Sequence, residues 1–213
     1  MPASAPSIRP LRIRRATPAD IPLLRDLAER TWRKCYAPIL SPEQMDYMLA
    51  RMYAPEVIAQ EMENGVFWEL ASADESATGF HSRDFDRPSG LGEASSSGAA
   101  AGFHSCAFDP ADRSLKLQKL YVLPSAQGMG FGKALLSRVR ELAGNVGARK
   151  VWLQVNKSNA AAIRAYGRAG YFVERTAVFD IGGGFVMDDF IMALAIPATS
   201  APLSAKDAAT VGT

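Results

Sequence analysis

The residues whose types and spacing point most directly to chemistry lie between Leu120 and Leu136. The stretch reads Leu120-Tyr121-Val122-Leu123-Pro124-Ser125-Ala126-Gln127-Gly128-Met129-Gly130-Phe131-Gly132-Lys133-Ala134-Leu135-Leu136. A strand pattern ends at Pro124, three alternating glycines follow, and an amphipathic helix begins. Glycine permits a tight turn and lets an anion approach the backbone amides. The start of a helix adds unpaired N–H groups and the positive end of the helix dipole. Together these make a phosphate site. The spacing excludes two common nucleotide loops. A P-loop counted back from Gly132-Lys133 would need glycine where Gln127 stands and a hydroxyl where Ala134 stands. The dinucleotide pattern G-x-G-x-x-G, started at Gly128, meets Lys133 where its third glycine should be. What fits is Q/R-x-x-G-x-G, as Gln127, Gly130 and Gly132.

A second stretch, Asn159-Ala160-Ala161-Ala162-Ile163-Arg164-Ala165-Tyr166-Gly167-Arg168-Ala169-Gly170-Tyr171-Phe172, follows one strand later. Asn159 suits a helix cap, and Gly170 a helix end. Asn159 and Tyr166 stand at i and i+7, on one helical face. The two stretches resemble the coenzyme A pyrophosphate loop and the N-x-x-A-x-x-x-Y-x-x-x-G-F/Y pattern of the GNAT acetyltransferase superfamily. The closing segment from Asp180 to Met192 resembles the end of bacterial polyamine-type N-acetyltransferases within that superfamily. The resemblance covers residues 11–194 loosely and 115–194 well.

The resemblance implies an acetyl-CoA-dependent N-acetyltransferase in which a primary amine attacks the thioester directly. Such a reaction needs a neutral amine, donors for the developing oxyanion, and a proton for the leaving thiolate. By resemblance, Leu120, Tyr121 and Val122 hold the pantetheine arm and polarise the thioester. Gln127, Gly128, Met129, Gly130, Phe131, Gly132 and Lys133 hold the pyrophosphate, and Asn159 binds the coenzyme near its reactive end. Tyr166 is the expected general acid, since a phenol with its ordinary pKa of about 10 is protonated at neutral pH. Its other reading is a half-buried aromatic that packs a helix on the sheet.

Many relatives carry a glutamate on the fourth strand as general base. Here that strand reads Lys116-Leu117-Gln118-Lys119-Leu120, without a carboxylate. The substitutes are Glu69, His104, and Asp188 or Asp189; Asp180, Asp188 and Asp189 together also suit a cationic acceptor. Trp32, Tyr36, Met45, Tyr47 and Met48 fall where relatives shape the acceptor groove, at spacings that equally suit a core. Two further readings stand beside the transferase: a binding or sensor module that holds acyl-CoA without catalysis, and a protein N-terminal acetyltransferase. The acceptor is a small-molecule amine or a protein amine. Relatives often dimerise, and the last strands offer an edge for a second copy.

Composition sets the frame. The 213 residues are 48% apolar and 22% charged, an ordinary balance for a globular chain. A net charge of +2 argues against nucleic-acid binding through bulk charge. Two cysteines and two histidines leave no disulfide framework and argue against a metal centre. No apolar run reaches the roughly 18 residues of a membrane span, and the first residues lack a secretion pattern, so a reducing cytoplasm is expected. Residues 1–10, the 73–99 insert and residues 197–213 hold too few large apolar residues to offset their ordering entropy. Gly79-Phe80-His81-Ser82 in the insert recurs as Gly102-Phe103-His104-Ser105.

One domain over 11–196 is therefore expected. Period-two and helical stripes predict strands at 11–15, 66–70, 100–108, 114–122, 151–155, 171–179 and 185–194. Helix starts fall at Thr17 and Ser41, each followed by proline, and a short helix opens at Pro55. Two later helices carry the motifs. The predicted class is α+β (mixed α/β), a GNAT-like twisted mixed sheet of about seven strands flanked by about four helices.

Overall fold

The computed structural model describes residues 11–73 and 99–197. The expectations for the N-terminal segment, the insert with its Gly79–Ser82 copy, and the C-terminal tail lie almost wholly outside the described residues.

The strands are β1 (Leu11–Arg15), β2 (Phe67–Ala73), β3 (Ala100–Asp109), β4 (Ser114–Val122), β5 (Lys150–Asn156), β6 (Phe172–Gly182) and β7 (Phe185–Ala195). The helices are α1 (Ile21–Cys35), α2 (Pro42–Met52), α3 (Pro55–Glu63), α4 (Phe131–Asn145) and α5 (Ala160–Arg168). The seven strands form one sheet in the order β1-β2-β3-β4-β5-β7-β6. Every neighbouring pair is antiparallel except β4 and β5. Five α-helices flank the sheet, one more than the round figure expected, because the short segment at Pro55 is a full helix of nine residues. β2 runs on to Ala73, since its later residues stay paired to β1 and buried.

Local signals explain the helix starts. The Asp20 carboxylate accepts the Thr17 N–H at 2.8 Å and is held by Arg14. That signal opens a single 3₁₀ turn, and α1 follows at Ile21. Ser41 Oγ accepts the Gln44 N–H at 3.2 Å, with Pro42 in the first turn of α2. Side-chain acceptors at this position satisfy amides that the helix leaves unpaired.

Two cores sandwich the sheet. One gathers Leu24, Trp32, Met48, Ile58, Trp68 and Phe103 beneath α1, α2 and α3. The other gathers Val139, Leu142, Leu153, Tyr171 and Met192 between the sheet and α4 and α5. Strand alternation sends Trp68 and Phe103 to the first face, and Glu69 and His104 to the second, where Arg138 of α4 meets Glu69. α2 also straps the last hairpin: the Tyr47 hydroxyl donates to the Ile181 carbonyl at 2.8 Å, and Gln44 Nε2 to the Val186 carbonyl at 3.3 Å.

Candidate active site

The parallel pair β4 and β5 is joined over only four residue pairs, from Ser114 opposite Lys150 to Leu117 opposite Leu153. Beyond Leu117 the strands part, and the wedge between them opens into a cleft of about 940 Å³. Gln118 to Val122 of β4 line one wall, Gln154 and Val155 of β5 the other. The glycine turn closes one end, and α5 brings Asn159, Ala162 and Tyr166 to its side.

The turn adopts the conformation its composition requires. Gly128 and Gly130 sit at φ 79° and 93°, in the left-handed region where a side chain is strained. A Cβ at either would meet nothing within 4 Å, so backbone conformation, not crowding, selects glycine. Gly130 caps α4, and the Ala134 N–H is the first to bond back, to the Gly130 carbonyl at 3.0 Å. The amides of Phe131, Gly132 and Lys133 precede that first bond and have no intrahelical acceptor.

Gln127, Gly128, Gly130, Gly132, Lys133, Leu120, Tyr121, Val122, Asn159 and Tyr166 all line the cleft. Phe131 buries its ring in the core and could offer only its backbone amide, while Met129 packs against the same core and its N–H already donates to the Ala126 carbonyl at 3.3 Å. The Gln127 amide turns back to the Val122 carbonyl at 3.4 Å and to Cys35 Sγ at 3.8 Å. Asn159 Oδ1 caps α5 by accepting the Ala162 N–H at 3.1 Å. Thr31, Cys35 and Tyr36 from the end of α1, with Arg140 and Arg168, also line the cleft. Sequence reasoning missed Arg140 and Arg168. The signal for Arg140 was present, since it lies at i+7 from Lys133 on the same face of α4.

Three tyrosines converge on the wedge. Tyr166 packs its ring 5.8 Å from that of Tyr171. Burial, then the nearby phenols of Tyr36 and Tyr171, hold its hydroxyl above the usual phenol range. Burial also raises Tyr36, against the opposing effect of its interactions with Tyr121 and Asn159. Tyr121 is raised well above the ordinary value, by burial first and then by Tyr36 and Tyr53. All three are therefore protonated donors at neutral pH.

The candidate bases separate clearly. His104 Nε2 lies 3.0 Å from Glu69 Oε2, and Arg138 grips both Glu69 oxygens at 2.9 and 3.0 Å. Burial alone would raise Glu69, but the bonds from His104 and Arg138 outweigh it and hold the carboxyl at about 2. Neither Glu69 nor His104 lines the cleft. β4 carries no carboxylate; its buried Lys119 holds its ammonium 3.0 Å from both Glu61 oxygens and 4.8 Å from the centre of the Trp68 ring. Asp188 pairs with Lys157. Asp189 is fully buried, and neither of its carboxylate oxygens has a hydrogen-bond partner among the described residues.

Among the described residues no group of three or more His, Cys, Asp or Glu could hold a metal ion, and no helix is long and apolar enough to cross a membrane. Residues 57–171 match the family model described as the acetyltransferase (GNAT) family. The chain belongs to the GNAT family. The match runs from α3 through the glycine turn and α5 to Tyr171, and so contains every wall of the cleft except the part that Thr31, Cys35 and Tyr36 supply. An N-acetyltransferase of Mycobacterium tuberculosis, itself uncharacterized, is 38% identical over 81 residues, which cover 38% of this chain and 51% of that protein. The chain thus spans about half the length of the curated relatives it matches. The streptothricin acetyltransferase of Streptomyces lavendulae is 35% identical over 60 residues, covering 28% of this chain and 32% of that one. Among solved structures, the PaiA N-acetyltransferase of Thermoplasma acidophilum, in complex with coenzyme A, superposes with a TM-score of 0.66. That superposition covers 87% of this chain and 99% of the other at 21% identity, a likeness of fold.

Proposed function

We propose that this GNAT protein transfers an acetyl group from acetyl-coenzyme A to an amine, with Tyr166 as the general acid. The observation that carries this reading is the position of Tyr166: a phenol held protonated, on the wall of a cleft closed at one end by a glycine turn and the free amides that begin α4. The donor set suits coenzyme A. The amides of Phe131, Gly132 and Lys133, which have no intrahelical acceptor, and the helix dipole of α4 favour a pyrophosphate. The side chains of Lys133, Arg140 and Arg168 add positive charge around the same cleft. When bound, acetyl-coenzyme A supplies an activated thioester.

This chain's own groups account for the remaining work. Beyond Leu117 no strand pairs with the β5-facing edge of β4, so backbone groups near Leu120 to Val122 are available to the pantetheine arm and the thioester carbonyl. Asn159, with its Oδ1 spent on the cap, keeps its amide N–H groups for a ligand or for Tyr36. Tyr166 gives its proton to the sulfur as the thiolate leaves, and a proton shed by the acylated nitrogen restores the phenol. The acceptor is a small-molecule amine or a protein amine.

Thiol release from acetyl-coenzyme A across a panel of alkylamines, polyamines, aminoglycoside-like antibiotics and peptide N-termini tests this reading. We expect one class to be turned over, and Tyr166→Phe to lower kcat at least tenfold, as loss of general acid catalysis does. A second reading, an acyl-CoA-binding module without catalysis, draws on the absence of a carboxylate from β4. Tight coenzyme A binding without thiol release for any amine would favour it.

A further inference from the structure

One carboxylate has no use in the scheme above. Asp189 lies on β7, opposite Asn156 of β5 and Ala177 of β6. It is 0% exposed, and neither oxygen has a partner among the described residues. Burying an unpaired carboxylate is costly, and proteins ordinarily pair such groups. Among the described residues the other buried acid, Glu69, is paired in this way, held by His104 and Arg138.

The surroundings of Asp189 show which way it faces. Along β7, Asp188 and Phe190 turn toward Lys157, which pairs with the first and covers the ring of the second. Asp189 alternates with them and shares its face with Met187, which packs on the core beneath α1, α2 and α3. Its charge is felt by Tyr36 at the end of α1, the same phenol that interacts with Tyr121 and Asn159 in the cleft. The titratable and charged groups around it are therefore Asp188 on its own strand, Lys157 just after β5 and Tyr36 after α1. Asn156 and Ala177 are neutral. Burial first, and then Asp188, push Asp189 up to about 6, while Lys157 opposes them.

We propose that Asp189 binds the ammonium of a strongly basic alkylamine acceptor and takes its proton. This rests on the acetyl-transfer reading and narrows its acceptor. An N–H bond of the ammonium breaks, an O–H bond forms on Asp189, and the electron pair stays on nitrogen as the lone pair that attacks. The carboxyl proton passes to water after the product leaves. Asp189 does not itself line the cleft but stands opposite Asn156, one residue beyond the cleft-lining Val155, so binding includes displacement of the side chains that cover it. The same charge that makes Asp189 costly when alone becomes a paired charge when the ammonium arrives.

The test is Asp189→Asn, which keeps the shape and removes the charge. Against a strongly basic alkylamine at pH 7, kcat/KM should fall at least tenfold and recover as pH rises toward the pKa of the amine. Against a weakly basic amine, neutral at pH 7, the variant should match the parent. Its thermal stability at pH 8 should equal or exceed the parent's, because an unpaired buried charge is gone. Calorimetric binding of the alkylammonium without any acetyl donor should weaken at least tenfold. A variant that binds and turns over alkylamines like the parent overturns the inference and leaves acetyl transfer intact. A parent that binds alkylammonium through Asp189 but releases no thiol with any amine overturns the transfer reading and keeps the ammonium site. Equal losses for strong and weak bases overturn the proton-taking role.

Discussion

The Tyr47 hydroxyl donates to the Ile181 carbonyl at 2.8 Å, tying α2 to the β6–β7 hairpin across 134 residues of sequence. Arg51 Nη1 reaches the same carbonyl at 2.7 Å and the Tyr47 hydroxyl at 2.6 Å. This backbone oxygen, with the Val186 carbonyl that Gln44 reaches, thus anchors the helix to the hairpin. Tyr47→Phe should cost about 1 kcal/mol, since Arg51 still fills the carbonyl. Tyr47→Phe combined with Arg51→Ala should cost more and loosen the hairpin. Urea unfolding measures the first effect, and amide hydrogen exchange at Ile181 to Phe185 the second.

The glycine turn separates backbone strain from ligand contact. Gly130 has φ 93° and open space where a Cβ would go. Gly130→Ala should therefore lose about 1–2 kcal/mol through backbone strain alone. Coenzyme A affinity, measured by calorimetry, should fall in the same variant, because the start of α4 and its free amides shift together.

Asn159 has two tasks that substitutions can part. Asn159→Ala removes the cap on Ala162 and should cost about 1 kcal/mol of stability. Asn159→Ser keeps a capping oxygen but no amide donor. We expect near-parent stability and a several-fold loss of thiol release from Asn159→Ser. Loss of activity only in the alanine variant would assign Asn159 to capping alone.

Acid sensitivity should draw on Asp20, which Arg14 holds at about 2, and on the buried Glu69. The folded Glu69 carboxyl is held at about 2, below the 4.5 of a free glutamate. The stability it contributes is fully present above about 4.5 and is lost as pH falls from there toward 2. Glu69→Gln should abolish that part of the acid limb. It should also cost about 1–3 kcal/mol at neutral pH, because buried His104 loses its charged acceptor while Arg138, a third exposed, can turn to water. Urea midpoints from pH 7 to pH 3 read both effects.

How much could be read from residue order follows from how local each signal is. Gln127 to Lys133 and Asn159 to Tyr171 were legible because each motif sits on one turn or helix, with its chemistry in its own spacing. The seven strands were legible from alternation, and the extension of β2 to Ala73 was not, since its pairing with β1 decides it. Glu69, His104 and Asp189 were indistinguishable as bases in the sequence. Their roles depend on strand parity and on what lies above each face. Register between β2 and β3 sets Glu69 beside His104, and α4 then supplies Arg138. Asp189 has its neighbours from β5, β6 and the end of α1, none of them near it in the chain.

The short splice between β4 and β5 has a mechanical consequence. Two parts of the sheet, β1 to β4 and β5 to β7, are riveted directly by four residue pairs. A molecule lodged in the wedge would touch both walls and act as the missing rivet. Its binding energy would then appear as resistance to prying the two parts of the sheet from each other. Saturation at 100 times Kd would add about 2.7 kcal/mol to unfolding. The cleft that receives the ligand is thus also the seam that the ligand closes.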